Sequence, residues 1–280
     1  MKIAIQGAAG SFHHIAAEKY YSRSHDEDKI EYIYGDTYTA VFTALAAGLA
    51  DAAIIDIENS LYGSIPEVYS LLVRYKFPIV GEIVDPIHHN LITLPGTRTE
   101  DIERIYSHPV AIAQCAHYLA SHFPKAEIVQ YYDTAAAVEF IKHSGNKNYA
   151  AIAGGAAAEL HDMYILERKI EDEEHNFARF LEIKPGGTAP EGADKASLIM
   201  TIADAPGSLH RALGVFADLG SNIIKIRSRP VPGKILSYQF YLDIEITPHA
   251  LESATEMLAL QHCTVTNLGH YKAATTFYEG

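Results

Sequence analysis

Residues 2–12 read Lys-Ile-Ala-Ile-Gln-Gly-Ala-Ala-Gly-Ser-Phe, an apolar run that ends in small residues and leads into a helical pattern over residues 12–21. The same order recurs at residues 52–57, which polar residues follow, and at residues 150–153, which two glycines follow. Strands that alternate with helices predict an α/β fold with a largely parallel sheet. Ligand sites in such sheets lie where a strand ends and the next helix begins.

A segment rich in proline and glycine divides the sequence. Residues 184–193 contain two prolines and three glycines, which a helix interior or a central strand does not tolerate. The segment predicts a linker at 184–194 between a domain at 1–183 and a domain at 195–280. The second domain is predicted to have the ferredoxin-like order β-α-β-β-α-β. Its predicted elements are strands at 196–202, 222–228, 236–244 and 263–271 and helices at 209–219 and 248–260.

The composition is that of an ordinary globular protein and excludes several classes of function. The 280 residues are 48% hydrophobic and 20% charged, and 22 basic against 35 acidic residues give a net charge of −13. Such an acidic chain lacks the basic face that nucleic-acid binding requires. No run of about 18 apolar residues and no signal-peptide pattern occurs. We therefore expect a cytoplasmic protein without a nucleic-acid or membrane partner.

Motifs for metals and organic cofactors are missing from the sequence. The two cysteines, Cys115 and Cys263, exclude a disulfide framework and a CxxC metal site. Phosphate-loop, dinucleotide-binding, HExxH and GxSxG motifs are absent. The histidine pairs at 13–14 and 88–89 are interpreted as solvated or hydrogen-bonded, because adjacent side chains point apart. The acidic run at 171–175 is interpreted as a solvated face. No metal and no cofactor are expected.

Two clusters of candidate binding residues follow predicted strands. Residues 7–11 could form an anion-binding loop or a plain tight turn. The second cluster, Asp56 to Ser60 with Gly63 and Ser64, places several polar groups at the end of an Ala/Ile strand. That number is unusual for a purely structural role, although Asn59 or Ser60 could cap the following helix.

Two further clusters lie later in the first domain. Ser107-His108-Pro109 precedes a predicted helix at 110–119, so Ser107 could be its N-cap, whereas Gln114 has less structural reason to lie in an Ala-rich helix. Arg179 lies within the run Asn-Phe-Ala-Arg-Phe at 176–180. A buried arginine needs an anionic partner, and its guanidinium is suited to a bidentate grip on a carboxylate. Arg179 is therefore interpreted as a ligand-binding residue.

Taken together, these clusters resemble the prephenate dehydratase family. The matching stretches are residues 7–12, 58–60 with 63–64, 107–109 with 114–115, 133–136, 150–158 and 176–180. The C-terminal part, with residues 206–209, Asn222 and residues 228–230, resembles the ACT regulatory domain of that family. The resemblance implies an α/β fold with two lobes like a type II periplasmic binding protein, and a ferredoxin-like ACT domain after them. Chain crossings near residue 77 and residue 150 would divide the lobes.

The resemblance also implies an activity and a set of site residues. Members of the family are carbon–oxygen lyases that remove carbon dioxide and water from prephenate to give phenylpyruvate, a step in phenylalanine synthesis. Because hydroxide is a poor leaving group, a positioned proton donor is expected. The catalytic residues implied are Thr134, Arg179 and Ser107, and the substrate-binding residues implied are Asn59, Ser60, Gln114, Ser11 and Phe180.

One departure from the family pattern concerns the proton donor. The hallmark of the family is Thr-Arg-Phe, whose threonine is taken as the donor, and this chain has Ala178-Arg179-Phe180. Alanine cannot donate a proton or a hydrogen bond. Three interpretations remain: Thr134, Ser107 or a water supplies the proton; arogenate, the amino analogue of prephenate, is the preferred substrate; or the protein is a poor catalyst that retains the binding site. The missing threonine also supports a different class of protein, a sensor that binds such a ligand without chemistry.

The ACT resemblance implies an effector and an assembly. L-phenylalanine would bind between ACT domains and reduce activity. The residues implied are Ala205, Pro206, Gly207, Ser208, Leu209, Asn222 and Ile223. The usual Glu-Ser-Arg-Pro of the domain begins here with Arg227, which reverses one charge. Because exposed sheet edges favour side-by-side pairing, a homodimer or homotetramer is expected.

Overall fold

The computed structural model of the chain describes residues 1–22, 30–231, 233 and 238–274. The chain divides into two compact units, of which the first comprises Met1–Leu71 and Ile83–Leu181 and the second comprises Leu72–Glu82 and Glu182–Gly280. The predicted strand at 236–244 begins outside the described residues, and the predicted C-terminal domain also ends outside them.

The first unit alternates strands and helices, as the sequence predicts. In chain order its elements are β1 (Lys2–Gln6), α1 (Phe12–Tyr21), β2 (Glu31–Gly35), α2 (Tyr38–Ala46), β3 (Ala52–Asn59), β4 (Gly63–Ser64), α3 (Pro66–Tyr75), β5 (Ile79–Pro86), β6 (Asn90–Thr93), a 3₁₀ turn (Thr99–Asp101), β7 (Arg104–Ser107), α4 (Pro109–Gln114), α5 (Ala116–His122), β8 (Glu127–Gln130), α6 (Thr134–Ser144), β9 (Tyr149–Ala153), α7 (Gly155–Leu160), β10 (Tyr164–Glu167) and β11 (Phe177–Ile183). The elements α3, β5 and β11 also have residues in the second unit.

The strands of the first lobe lie in the order β5-β11-β3-β1-β2. The strand β1 pairs in parallel with β2 and with β3, so that Ile5 lies opposite Ile54. Ile3, Ile5 and Ile54 are fully buried and pack in one cluster with Ala16 of α1 and Phe180 of β11. Because β1 and β3 run in parallel, their carboxyl ends meet at one edge of the sheet, where α1 begins.

The second lobe is built on a second sheet in the order β10-β6-β9-β7-β8. The strand β9 pairs in parallel with β7 and antiparallel with β6, and β10 is antiparallel to β6. This sheet is therefore mixed rather than largely parallel. The chain enters the lobe through β6 and leaves it through β10, and these neighbouring strands run in opposite directions.

The chain crosses between the lobes at other points than expected. It passes from β5 in the first sheet to β6 in the second between residues 86 and 90, and it returns between β10 and β11, at residues 167–177. The expected crossing near residue 150 is wrong, because Ala150 belongs to β9 in the middle of the second sheet. The expected crossing near residue 77 is about ten residues too early.

The second unit has the predicted ferredoxin-like order. Its elements are β12 (Lys195–Thr201), α8 (Ser208–Asp218), β13 (Asn222–Pro230), β14 (Tyr238–Glu245), α9 (Pro248–Leu260) and β15 (Thr264–Tyr271). The strands lie in the antiparallel order β13-β14-β12-β15. Leu198 and Met200 of β12 and Leu242 of β14 form a buried core with Phe216 of α8 and Leu258 of α9. Within the described ranges, no helix is long and apolar enough to cross a bilayer.

Candidate functional site

A cavity of about 350 Å³ lies in the first unit, where strand ends and helix starts meet. Gln6 at the end of β1 and Asn59 at the end of β3 line it, as do Phe12 and Thr134, the first residues of α1 and α6. A volume of this size suits a small organic molecule. The cavity is at the kind of position that the strand and helix pattern of the sequence predicts.

Five of the predicted site residues line the cavity. They are Ser11, Asn59, Gln114, Thr134 and Phe180. The Oγ of Ser11 caps α1 by accepting a hydrogen bond from a backbone amide of its first turn at 3.3 Å. Thr134 is buried at the start of α6.

Arg179 does not line the cavity, although the sequence interpretation made it a ligand-binding residue. Its neighbours in β11, Ala178 and Phe180, line the cavity instead. Nη1 of Arg179 donates a hydrogen bond of 2.9 Å to Oε1 of Glu58. The anionic partner that a buried arginine requires is thus provided by the protein itself.

Ser107 and Ser60 also lie outside the cavity lining. The Oγ of Ser107 is fully buried and donates to the carbonyl of Ile152 at 2.6 Å, which links β7 to β9. The Oγ of Ser60 accepts from the amide of Phe177 at 2.9 Å and donates to a neighbouring carbonyl. Both hydroxyls are hydrogen-bonded to backbone groups. The expectation that Ser107 donates a proton to a ligand is therefore not supported.

Amide side chains form a connected network on one side of the cavity. Nδ2 of Asn59 donates to Oδ1 of Asn176 at 2.6 Å, and Nδ2 of Asn176 donates to Oε1 of Gln114 at 3.2 Å. The same Oε1 lies 2.7 Å from Nε2 of His89, which therefore carries a proton and donates it. Burial lowers the pKa of His89, which favours the neutral ring. Its Nδ1 is buried and has no hydrogen-bond partner among the described residues, and it is left as an acceptor.

A second cluster joins His13, Asp56 and Tyr38 at the cavity. Nε2 of His13 lies 2.8 Å from Oδ1 of Asp56, and the hydroxyl of Tyr38 donates to the same oxygen at 2.6 Å. Burial alone would raise the pKa of the Asp56 carboxyl, but the charge and hydrogen bonds of its partners hold that pKa below its ordinary value. Burial and the Asp56 charge raise the pKa of Tyr38. Asp56 is thus an anion that contacts two side chains, and its backbone amide also donates to Nε2 of His13 at 3.3 Å.

Asp133 and His108 add two further titratable groups to the lining. Oδ1 of Asp133 caps α6 by accepting from the amide of Ala136 at 2.9 Å. Burial raises the pKa of the Asp133 carboxyl, and burial lowers the pKa of His108. The lining residues that the structure describes include no lysine or arginine.

The sequence interpretation missed His13 as a candidate site residue. His13 was grouped with His14 as solvated or satisfied, yet it is buried, lines the cavity and pairs with Asp56. A signal for it was present: His13 follows the loop after β1, and Asp56 lies near the end of the neighbouring parallel strand β3. The carboxyl ends of neighbouring parallel strands meet at one edge.

The predicted effector residues lie in the second unit. Residues 205–209 form the turn into α8, where Gly207 has a φ of +79°. Asn222 begins β13, and its Nδ2 donates to Oε2 of Glu245 at 2.8 Å. Ile223 lies opposite Ile244 of β14.

Two α/β lobes with a cavity lined from both define a type II periplasmic-binding-protein-like fold, here followed by a ferredoxin-like unit. The particular member of that class follows from the family comparison. The chain belongs to the prephenate dehydratase family: the model for prephenate dehydratase matches residues 3–187, and the model for the ACT domain matches residues 196–260. This confirms the resemblance seen in the sequence.

Curated relatives carry the names of two related activities. The chain is 35% identical to arogenate dehydratase 5 of Arabidopsis thaliana over 94% of its length, and 35% identical to a bifunctional chorismate mutase/prephenate dehydratase of Pseudomonas aeruginosa over 87% of its length. It spans 65% of each of these relatives, slightly under two thirds.

Solved structures match nearly the whole chain. Prephenate dehydratase from Arthrobacter aurescens in complex with L-Phe superimposes with a TM-score of 0.85 at 27% identity, over 98% of this chain and 90% of that one. GqqA, described as a quorum-quenching acylase, superimposes with a TM-score of 0.83 at 30% identity, over 99% of both chains. The predicted two-lobed fold with a C-terminal ACT domain is confirmed.

Proposed function

We propose that the chain is a lyase that converts prephenate to phenylpyruvate with loss of carbon dioxide and water. The observation that carries this proposal is the convergence of two helix starts, those of α1 and α6, on the cavity. The positive end of a helix dipole favours carboxylates, of which prephenate has two. The amide groups of Asn59 and Gln114 offer further hydrogen bonds, and Phe12 and Phe180 offer apolar surface to a ring.

Arogenate is the second candidate substrate, and the charge of the cavity favours it. Arogenate has an ammonium group where prephenate has a keto group. Asp56 and Asp133 place two carboxyl groups in the lining, in which the described residues include no lysine or arginine. A carboxylate is a natural partner for an ammonium. The Arabidopsis relative is named an arogenate dehydratase.

A parallel assay of both substrates tests the proposed function. Purified protein is given prephenate or arogenate at equal concentration, and the formation of phenylpyruvate and of phenylalanine is followed to obtain kcat/KM for each. Turnover of prephenate supports the first candidate, and a preference for arogenate of tenfold or more supports the second. Tight binding of both substrates without turnover would contradict the proposed lyase activity and favour a ligand sensor.

We propose that the second unit is the regulatory part of the molecule and takes L-phenylalanine as effector. A match to the ACT domain model over residues 196–260 supports this, as does the L-Phe complex of the Arthrobacter relative. The domain limits proposed are 1–183 and 195–280 with a linker at 184–194. A homodimer or homotetramer in the cytoplasm is part of the same proposal, and both cysteines are free, as suits a reducing compartment.

A further inference from the structure

Ala178 leaves one wall of the cavity without a proton donor. The methyl group of Ala178 and the ring of Phe180 lie on the same face of β11, and both line the cavity. The ring of His13 packs edge-on against Phe180, with ring centroids 5.3 Å apart. His13 is thus a titratable group on the wall next to Ala178.

We propose that His13 is the proton donor of this enzyme, with Asp56 and Tyr38 as the residues that position its ring. The inference rests on the proposed lyase function and assigns the acid for it. Nε2 of His13 is engaged by Asp56 at 2.8 Å, so Nδ1 is the ring nitrogen assigned to the substrate. A carboxylate that holds one nitrogen of a histidine while the other exchanges protons is an established catalytic arrangement.

The pairing of His13 with Asp56 is built into the first lobe. Asp56 is anionic and lies on the central strand β3, and Tyr38 from α2 holds the same carboxylate oxygen at 2.6 Å. The side chain of His13 is 8% exposed, so its contact with Asp56 is weakly screened by water.

The other titratable groups of the lining are engaged differently. His89 donates through Nε2 to Gln114, and Nδ1 of His108 accepts from the amide of Val110 at 3.3 Å. Among the described lining histidines, His13 is the one whose ring is paired with a carboxylate. Asp133 accepts from the backbone at the start of α6. Thr134 remains a competing donor, because its hydroxyl lines the same cavity.

The proposed step balances in atoms and charge. The bond between the ring carbon and the departing carboxylate breaks, and its electron pair completes the aromatic ring as carbon dioxide leaves. The bond between the opposite ring carbon and its hydroxyl breaks with its electron pair on oxygen. That oxygen takes the proton from Nδ1 of the imidazolium and leaves as water. His13 ends as a neutral imidazole and regains a proton from solvent.

The test compares His13→Gln, Thr134→Val and His14→Gln on whichever substrate the wild-type protein turns over. His13→Gln is expected to lower kcat by roughly 10²- to 10⁴-fold, the usual contribution of general acid catalysis. Thr134→Val is expected to reduce kcat by less than about tenfold. His14→Gln is the matched control, because His14 is the next residue of α1 and does not line the cavity; it should retain kcat.

A second set of variants places a hydroxyl at residue 178, on the cavity wall next to the lost imidazole. Ala178→Thr combined with His13→Gln is expected to recover at least about tenfold of the lost kcat, since either group can then serve as the acid. Asp56→Asn should lower kcat and leave KM nearly unchanged, because it removes the positioning charge. Circular dichroism and melting curves establish that each variant is folded.

The pH profile separates catalysis from a structural role. Any limb of the kcat–pH profile that depends on the His13 imidazole should be present in the wild-type protein and absent from His13→Gln. Asp56 on β3, Tyr38 on α2 and Asp133 before α6 interact with His13, and His108 before α4 lines the same cavity. Asp133→Asn and His108→Gln should retain the limb.

Two results would contradict the role of His13 without contradicting the lyase function. One is a folded His13→Gln variant with wild-type kcat, and the other is a larger decrease of kcat in Thr134→Val than in His13→Gln. Absence of turnover in the wild-type protein on both substrates would instead contradict the proposed function, and the role of His13 with it.

Discussion

Gly10 connects the loop after β1 to the second lobe through two separate constraints. Its φ is +81°, a conformation that residues with a Cβ rarely adopt. A Cβ at this position would also lie 2.8 Å from Cα of Ala157 in α7. The loop at the mouth of the cavity therefore approaches the backbone of the other lobe more closely than any side chain would permit.

Replacement of Gly10 separates these two constraints. Gly48 also has a positive φ, of +69°, but a Cβ there meets nothing within 4 Å. Gly48→Ala should cost about 1–2 kcal/mol of the free energy of unfolding, from the backbone alone. Gly10→Ala should cost roughly 2–4 kcal/mol, because a backbone clash adds to that cost. Urea unfolding measures both, and equal losses would show that α7 moves away freely.

Asp133 should make stability depend on pH in a defined direction. Burial raises its pKa in the folded state, so the folded protein holds that proton more tightly than the unfolded chain. The protonated Asp133 carboxyl therefore contributes to stability below its pKa in the unfolded chain, about 4. That contribution is lost as the pH rises through the pKa of Asp133 in the folded protein. Asp133→Asn should therefore raise the Tm at pH 8, with a smaller gain at pH 4.

Asparagine is chosen for this test because it can still cap α6. A variant that cannot cap, Asp133→Ala, is the control and should lose about 1 kcal/mol at both pH values relative to Asp133→Asn. A Tm gain of Asp133→Asn that is the same at pH 4 and pH 8 would contradict the assignment of a raised pKa.

At the scale of elements, the helix predicted at 110–119 is broken into α4 and α5. The carbonyl of Gln114 accepts from the amide of Asp172 at 2.8 Å, so it is diverted from the helical ladder. The carboxylate of Asp172 accepts from the amides of His117 and Tyr118 at 2.9 and 3.2 Å. A residue distant in sequence therefore caps α5 and fixes the end of α4, where Gln114 reaches the cavity.

Loss of this cap should destabilise α5. Asp172→Ala removes two hydrogen bonds to the first turn of the helix and should cost about 1 kcal/mol, as other N-cap losses do. The adjacent exposed residue provides the control, since Glu173→Ala should stay within about 0.5 kcal/mol of wild type. Hydrogen exchange of the α5 amides should rise in the first variant alone. Unchanged protection there would mean that α5 does not depend on Asp172.

Helices whose limits are set by a nearby capping residue could be predicted from the sequence, whereas hydrogen-bond partners that are distant in sequence could not. The helices α1 and α9 have the predicted limits, because Ser11 and Thr247 cap them within one turn. Glu171, by contrast, was predicted on a solvated face, yet it is buried and accepts from the amide of His89 at 2.8 Å. Its partner is more than 80 residues away. Only the packed chain shows such a pairing.

The candidate site shows the same limit. Ser11 and Asn59 could be found because each lies at or just after the end of a strand, whereas Thr134 was implied by the family resemblance and Gln114 stood out as an amide in an Ala-rich helix. The direction of Arg179 could not, because the pattern of the strand gives two faces and does not say which one meets the cavity.

At the scale of the molecule, a catalytic unit and an ACT unit are expected to communicate through L-phenylalanine. A ligand that binds only the folded protein stabilises it by mass action, by about 2.7 kcal/mol at a hundred times its Kd. We therefore expect millimolar L-phenylalanine to raise the Tm by several degrees and to lower kcat/KM. Asn222→Ala should reduce both effects, since Asn222 is the polar residue of the predicted effector set at the start of β13.

Arg227 is the position in the second unit at which the charge departs from the ACT pattern. Arg227 lies in β13 opposite Tyr241, at the position where the ACT pattern has a glutamate. If the reversed charge weakens the effector site, Arg227→Glu should lower the L-phenylalanine concentration that halves activity, with turnover in its absence unchanged. Arg229→Glu, two residues along the same strand, is the control for net charge. Equal shifts in both variants would assign the effect to net charge, and no Tm shift in any of the proteins would argue against a working effector site.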